Sequence, residues 1–352
     1  MVRAKIIGAT GYGGIGIVEL LHGHPDVEIG TLVAIENTGM ALSTLYPHLA
    51  GHVDTVVVGP DDPQAALPAD VVFMATPDGV GMKLAAAELE KGAKVVDYSG
   101  DFRFNDAAAY AEYARRIGIN TVHAAPELLP QAVYGIPELH RDEIDSSTRI
   151  VGNPGCFAVS CIIGLAPAVK AGLITSDSII CDCKTGVSGA GRKVNAAFHY
   201  PARYEMMNAY KLAGHQHVCE IERELSLQAG KDIVVTFTAQ VVPVCRGIMS
   251  TLYGTLAHDA TEQDVLALYR DFYEGERFVQ LFESTAPIGT MHVRGSNGVK
   301  LVISVDQRTR RLRIVSYIDN LVKGQAGSAL QNMNLLFGLD EWAGLDRPGT
   351  YP

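Results

Sequence analysis

A glycine-rich turn near the start constrains this chain more than any other feature. Val2 to Ile7 is a short β-branched run, and Gly8-Ala-Thr-Gly11-Tyr-Gly-Gly14 follows it directly. From Ile15 to His22 the apolar residues Ile15, Val18 and Leu21 recur at helical spacing. Glycines between a strand and a helix permit a tight turn and let the backbone approach a pyrophosphate. The N–H groups and dipole of the helix start then favour the phosphate charge. Gly8-x-x-Gly11-x-x-Gly14 is a weak signal by itself, because a chain with 36 glycines matches it by chance. Its position after the first strand and at the opening of a helix is what predicts dinucleotide binding. Further along, Val33-Ala-Ile-Glu36-Asn37 closes a second strand read as Val27 to Ile35. An acidic residue there can hold a ribose 2′-hydroxyl, which favours NAD over NADP. The alternative is that Glu36 is a solvated loop carboxylate.

The same strand–helix alternation continues. Asp70 to Ala75 reads as a buried strand, Met82 to Glu90 as a helix and Lys94 to Asp97 as another strand. Alternation of this kind implies right-handed βαβ units and a parallel sheet over residues 1–150. The pattern changes after Pro154. A helical run from Phe157 to Val169 precedes strands at Ser178–Lys184, Ile233–Val244 and Met249–Leu256, and a helix at Ala260–Tyr273. Val299–Asp306 and Arg311–Ile318 read as a hairpin. An α/β chain follows: a dinucleotide-binding domain at 1–150 and an α+β domain with a mostly antiparallel sheet at 151–319. The final segment 320–352, with an apolar helix at Ala326–Leu336, is expected to return to the first domain.

Composition excludes several classes. A length of 352 residues suits two domains. A net charge of −10 argues against a nucleic-acid binder, which needs a basic face. No apolar run nears the roughly 20 residues that span a bilayer, and the N-terminus lacks a signal-peptide layout. The six cysteines include no Cys-x-x-Cys pair, so neither a metal site nor a disulfide framework is expected, and the cytoplasm is the expected setting.

One cysteine stands apart. In Gly152-Asn-Pro-Gly-Cys156 a Pro-Gly turn ends just before the thiol, and an apolar helical run begins just after it. A helix N-terminus favours the thiolate, which is the attacking species. Gly214-His215-Gln-His217-Val-Cys-Glu220 is the densest polar cluster. His217 and Glu220, three apart, share a helix face, and either His215 or His217 suits general acid–base work. The loop Ser188-Gly189-Ala-Gly-Arg192-Lys193 can hold an anion through backbone N–H groups and charge, and Arg103 and Arg246 are further anion contacts. Asn320 lies in a turn suited to line a cofactor cleft, or to cap the helix that follows. A dinucleotide turn, an activated cysteine and a histidine together point to one reaction. The cysteine displaces phosphate from an acyl phosphate, a nicotinamide hydride reduces the thioester, and an aldehyde leaves.

The motifs Gly8-Ala-Thr-Gly-Tyr-Gly-Gly14, Asp97-Tyr-Ser-Gly-Asp-Phe-Arg103, Val133-Tyr-Gly-Ile-Pro-Glu-Leu139, Gly152-Asn-Pro-Gly-Cys-Phe157, Gly186-Val-Ser-Gly-Ala-Gly-Arg-Lys193 and Ile318-Asp-Asn-Leu-Val-Lys-Gly324 run from end to end of the chain. Through them the chain resembles the N-acetyl-γ-glutamyl-phosphate reductases, within the semialdehyde dehydrogenase group. The resemblance implies a Rossmann-type domain and a substrate and dimerisation domain, a γ-glutamyl acyl phosphate substrate, NADP(H) and a homo-oligomer (dimer or tetramer). It implies Cys156 as nucleophile and His217, with His215 as the alternative, as acid–base group. Gly8, Thr10, Gly11, Tyr12, Gly13, Gly14, Ser188, Gly189 and Asn320 are expected at the cofactor, with Glu36 added from its place after the second strand, and Arg103, Arg192 and Glu220 at the substrate. Two departures bear on these expectations. Ala34, Ile35 and Glu36 stand where the family tends to carry serine and basic residues, which keeps NAD(H) open. Phe198-His-Tyr-Pro-Ala-Arg203 is similar to the related reductases of carrier-bound aminoadipyl phosphate, so a longer substrate is the alternative. A nucleotide-binding regulator without catalysis is the rival from another class.

Overall fold

A computed structural model describes residues 1–351. The elements run β1 (Val2–Ile7), α1 (Tyr12–His22), β2 (Val27–Val33), α2 (Leu42–Leu45), β3 (Val57–Val58), β4 (Val71–Met74), α3 (Gly81–Glu90), β5 (Lys94–Asp97), α4 (Ala107–Ile117), β6 (Ala132–Tyr134), α5 (Pro137–His140) and β7 (Ile150–Gly152). They continue with α6 (Cys156–Lys170), β8 (Ile179–Thr185), α7 (Tyr200–Arg203), β9 (Asn208–Tyr210), α8 (His217–Ala229), β10 (Val235–Val241), β11 (Ile248–Thr255), α9 (Glu262–Phe272), β12 (Val279–Glu283), β13 (Val299–Asp306), β14 (Arg311–Ile318) and α10 (Gly327–Leu336). The chain divides into two compact units. One joins Met1–Pro154 with Gln325–Asp346, and the other joins Gly155–Gly324 with the tail from Arg347. The sequence pattern puts these divisions at 150 and 320.

In the first unit all seven strands are parallel, in the order β3-β2-β1-β4-β5-β7-β6. β4 is buried at every position, as a strand covered on both faces must be. The chain winds outward from β1 to β2 and β3 on one side and from β4 on the other. The carboxyl end of β1 is therefore a topological switch point, where doubly wound folds bind ligands. Gly8 sits there at φ +88°, and a Cβ on it would lie 2.2 Å from the carbonyl oxygen of Ala75. No other residue fits that turn. Two local expectations are corrected. α1 begins at Tyr12 rather than Ile15, so Gly13 and Gly14 lie within its first turn. β2 stops at Val33, leaving Ala34, Ile35 and Glu36 in the loop beyond it, with Ile35 87% exposed.

The second unit is built on α6. Every residue from Phe157 to Val169 is buried, and the helix is apolar on all sides, the signature of a central helix. The sheet beside it has the order β12-β13-β14-β11-β8-β10-β9. The hairpin β13–β14 joins Asp306 to Arg311 as the sequence reading expected, and most neighbours are antiparallel. β8–β10 and β12–β13 are parallel, which makes the sheet mixed. A parallel pair needs a long crossover, and between β8 and β10 that crossover carries α8.

Polar groups pin α6 in place. Ser160 Oγ lies 2.9 Å from Ser250 Oγ on β11 and 3.0 Å from Ser316 Oγ on β14. Pro167 sits inside the helix and cannot donate to the carbonyl of Ile163 one turn earlier. The hydroxyl of Tyr273, just past α9, donates to that carbonyl instead, and Tyr269 Oη donates to Gly164 O at 2.7 Å. Tyr273→Phe should therefore strand a buried carbonyl and lower stability by about 1–3 kcal/mol. Thermal unfolding of the two proteins checks this, and an unchanged midpoint would count against the replacement bond.

Candidate active site

The glycine turn of the first unit presents backbone donors. Gly11 is the N-cap of α1 and supplies no side-chain cap. The intrahelical ladder begins with Ile15 N donating to Gly11 O at 2.9 Å. The N–H groups of Tyr12, Gly13 and Gly14 thus have no acceptor within the helix. A Cβ at Gly11 would meet nothing nearer than Gly8 O at 3.5 Å, so that direction stays open. Tyr46 Oη donates to Thr10 O at 2.9 Å and steadies the turn. Gly13 is held close by Gln325, whose side-chain nitrogen would lie 2.9 Å from a Cβ there. Open backbone donors at a helix start fit a dinucleotide pyrophosphate. Glu36 is exposed in the loop after β2.

Cys156 is the first residue of α6 in the second unit and is half-buried. Its N-cap, Gly155, is extended at φ −71° and ψ 145° and again has no side chain to cap with. The N–H of Gly155 donates to Glu220 Oε2 at 2.9 Å, across 65 residues of sequence. His217 opens α8, which packs along α6. A Cβ on Gly155 would lie 2.3 Å from His217 Nε2 and 2.9 Å from Glu220 Oε1, so the imidazole rests directly on the backbone before Cys156. His217 Nε2 is 3.9 Å from Glu220 Oε1. On the other side a Cβ at Gly324 would come within 2.7 Å of Cys156 Cβ. Two glycines therefore let the cysteine be enclosed this closely.

The two histidines differ. His215 is buried, and its Nδ1 accepts the N–H of His217 at 3.2 Å. Burial first, and then the charges at His217 and Lys211, lower its pKa to about 2. His215 is thus neutral at working pH and shapes the loop entering α8. Tyr210 on β9 stacks edge-on with it at 5.6 Å. Burial, followed by the nearby Cys156 sulfur, pushes the Tyr210 phenol up, so it stays protonated.

The other expected residues fall into place as supports. Asn320 is buried, with Oδ1 accepting from Gly247 N at 2.7 Å and Nδ2 donating to Ser188 Oγ at 3.0 Å. It clamps the Ser188–Gly189 loop. Asp319 takes Arg246 Nε at 2.8 Å and Leu321 N at 2.8 Å, so Arg246 is paired within the protein. Arg103, in the first unit, is buried and donates to Asn153 O at 2.8 Å and Tyr98 O at 2.6 Å. These contacts brace the segment that leads out of β7. Arg192 is exposed in the loop after Gly189. Sequence reasoning gives no role to Tyr210 or to the Asp319–Arg246 pair, and it reads Gly324 only as part of the turn with Asn320. Their partners are distant in sequence, and nothing in local spacing announces them.

Comparison with known proteins supplies the deciding observation. Residues 3–147 match "Semialdehyde dehydrogenase, NAD binding domain", and residues 156–320 match "Semialdehyde dehydrogenase, dimerisation domain". N-acetyl-gamma-glutamyl-phosphate reductase from Symbiobacterium thermophilum is 45% identical over 354 residues, covering 100% of this chain and 99% of that one. The protein of the same name from Geobacter sp. is 42% identical, with 100% of both chains covered. The chain belongs to the N-acetyl-γ-glutamyl-phosphate reductase family of semialdehyde dehydrogenases. Its fold is shared with aspartate semialdehyde dehydrogenase II from Vibrio cholerae, at a TM-score of 0.73 and 17% identity over 96% of this chain and 98% of that one. As a semialdehyde dehydrogenase it is an oxidoreductase of the phosphorylating type, which removes the regulator as a rival. Among the described residues no helix is long and apolar enough to cross a membrane.

His215 has a measurable signature in this family member. Its folded pKa of about 2 lies below the ordinary histidine value of 6.5. Stability from its neutral burial is therefore present above about pH 6.5 and is lost as pH falls below it, with a slope approaching about 1.4 kcal/mol per pH unit. Replacing it by Asn should flatten the fall in thermal midpoint between about pH 6.5 and 5. Parallel midpoint curves for the two proteins would contradict the buried neutral ring.

Proposed function

We propose that the protein reduces N-acetyl-γ-glutamyl phosphate to N-acetylglutamate semialdehyde with NADPH, releasing phosphate, and that Cys156 carries the acyl group as a thioester. The observation that carries this reading is the placement of Cys156 at a helix N-terminus whose own N-cap is a glycine, with the His217 ring against that glycine. Aligned peptide dipoles there favour the sulfur anion. The Cys156 sulfur attacks the acyl carbon, the bond from that carbon to the phosphate oxygen breaks, and phosphate leaves with the electron pair. Bound NADPH supplies the hydride that reduces the acyl carbon. His217 gives a proton to the oxygen that was the carbonyl. It takes that proton back as the carbon–sulfur bond breaks and the aldehyde leaves. His215, kept neutral by burial, is the weaker candidate for this task.

The turn residues Gly8, Thr10, Gly11, Tyr12, Gly13 and Gly14 would hold the cofactor pyrophosphate through backbone donors. Asn320 would shape the nicotinamide end by fixing Ser188 and Gly189. Arg192 is the exposed cation assigned to the substrate phosphate. The dimerisation-domain match supports a homo-oligomer, which we take as a dimer or tetramer. A cytoplasmic setting suits a mechanism that needs a reduced thiol.

The decisive assay mixes the purified protein with N-acetylglutamate semialdehyde, phosphate and either oxidised nucleotide, and follows nicotinamide reduction. The reaction should require phosphate, and no signal with either nucleotide would refute the reading. Cys156→Ser should lower kcat/KM by at least about a thousandfold, the scale for loss of a nucleophile, while nucleotide binding stays near wild type. Retained turnover would remove Cys156 from the chemistry. Glu36 carries a charge that repels a 2′-phosphate. Glu36→Ser should raise the kcat/KM ratio of NADPH over NADH by roughly tenfold. An unchanged ratio would show that Glu36 does not face the ribose.

A further inference from the structure

Glu220 stands where the reaction outlined above gives it no task. Its side chain is completely buried, on α8, three residues beyond His217. A carboxylate so placed is unfavourable unless its charge is compensated. Two compensations are present. Gly155 N, at the positive end of α6, donates to Oε2 at 2.9 Å, and His217 Nε2 lies 3.9 Å from Oε1. Helices are usually capped by a side chain from their own first residues. α6 begins with a glycine N-cap and takes its acceptor from another helix.

We infer that Glu220 is a positioning residue that couples the two reacting groups: one oxygen fixes where α6, and with it Cys156, begins, and the other holds His217 and favours its protonated form. The inference rests on the reading of Cys156 and His217 given above. The titratable surroundings of His217 are Glu220 on its own helix, His215 and Lys211 from the preceding loop, Tyr210 from β9 and Cys156 from α6. Burial keeps His215 neutral and Tyr210 protonated. Lys211 is exposed and hydrogen-bonded to Gln216 Oε1 at 2.9 Å, so its charge is screened by solvent. Glu220 is the buried carboxylate of the group.

Two variants separate its two tasks. Glu220→Gln keeps an oxygen to accept the Gly155 N–H and removes the charge. Glu220→Ala removes both. Histidine-labelled full-length protein gives the His217 titration by NMR, with the signal assigned by its loss in His217→Asn. Removing a negative charge destabilises imidazolium, so in Glu220→Gln the His217 titration should move down by about one pH unit. The basic limb of kcat/KM for semialdehyde oxidation should move the same way, because protonated His217 is the form that gives its proton to the aldehyde oxygen as the carbon–sulfur bond forms. The thermal midpoint should stay close to wild type in Glu220→Gln and fall in Glu220→Ala. An unmoved His217 titration in Glu220→Gln would overturn the coupling. So would equal losses of midpoint in both variants, which would make Glu220 a packing residue only. Failure of the wild-type protein to turn over would instead refute the proposed reaction, and the NMR titration would still decide the coupling.

Discussion

The contact between the start of α6 and the start of α8 is the constraint on which the site depends. At that point the backbone of Gly155 touches the imidazole of His217 and donates to the carboxylate of Glu220. A side chain at 155 would push the two helices apart. The arrangement is possible because α6 is apolar on all sides and packs on β11 and β14, with Ser160 bonded to Ser250 and Ser316. Packing of the helix body thus sets the position of the thiol at its tip. A second close approach, Gly324 against Cys156, brings in the Asp319–Gly324 turn, whose Asn320 and Asp319 tie down Ser188, Gly247 and Arg246.

Electrostatics sort two neighbouring histidines that are chemically the same residue. Burial of His215, followed by the charges at His217 and Lys211, outweighs the opposing pull of the Glu220 carboxylate and keeps the ring neutral. His217 lies beside a buried carboxylate. Burial and the placement of one carboxylate thus give adjacent imidazoles different surroundings, one sealed in as a neutral ring and one set against Gly155 and Glu220.

The first unit shows a simpler logic. Its glycine turn is made from consecutive residues, and what it presents is backbone N–H groups rather than side chains. Such a site depends on the strand before it and the helix after it. The parallel order of the sheet adds the switch point at β1, which leaves the carboxyl end of that strand uncovered by a crossover.

Local order was legible in the amino-acid sequence. The run Val2–Ile7, the glycine turn, the helix behind Pro-Gly-Cys156 and the hairpin joining Asp306 to Arg311 are all written in consecutive residues, where turn chemistry and hydrophobic period act over a few positions. The reaction class could be read as well, since a dinucleotide turn, a cysteine at a helix start and a histidine cluster each have a local signature. The tertiary structure alone decided which histidine rests on the cysteine's helix, that Glu220 caps that helix from another one, that Arg246 pairs with Asp319, and that β8 and β10 run parallel. These contacts join residues far apart in the chain. They depend on how two apolar helix faces settle against one sheet, and no spacing rule within one element encodes that.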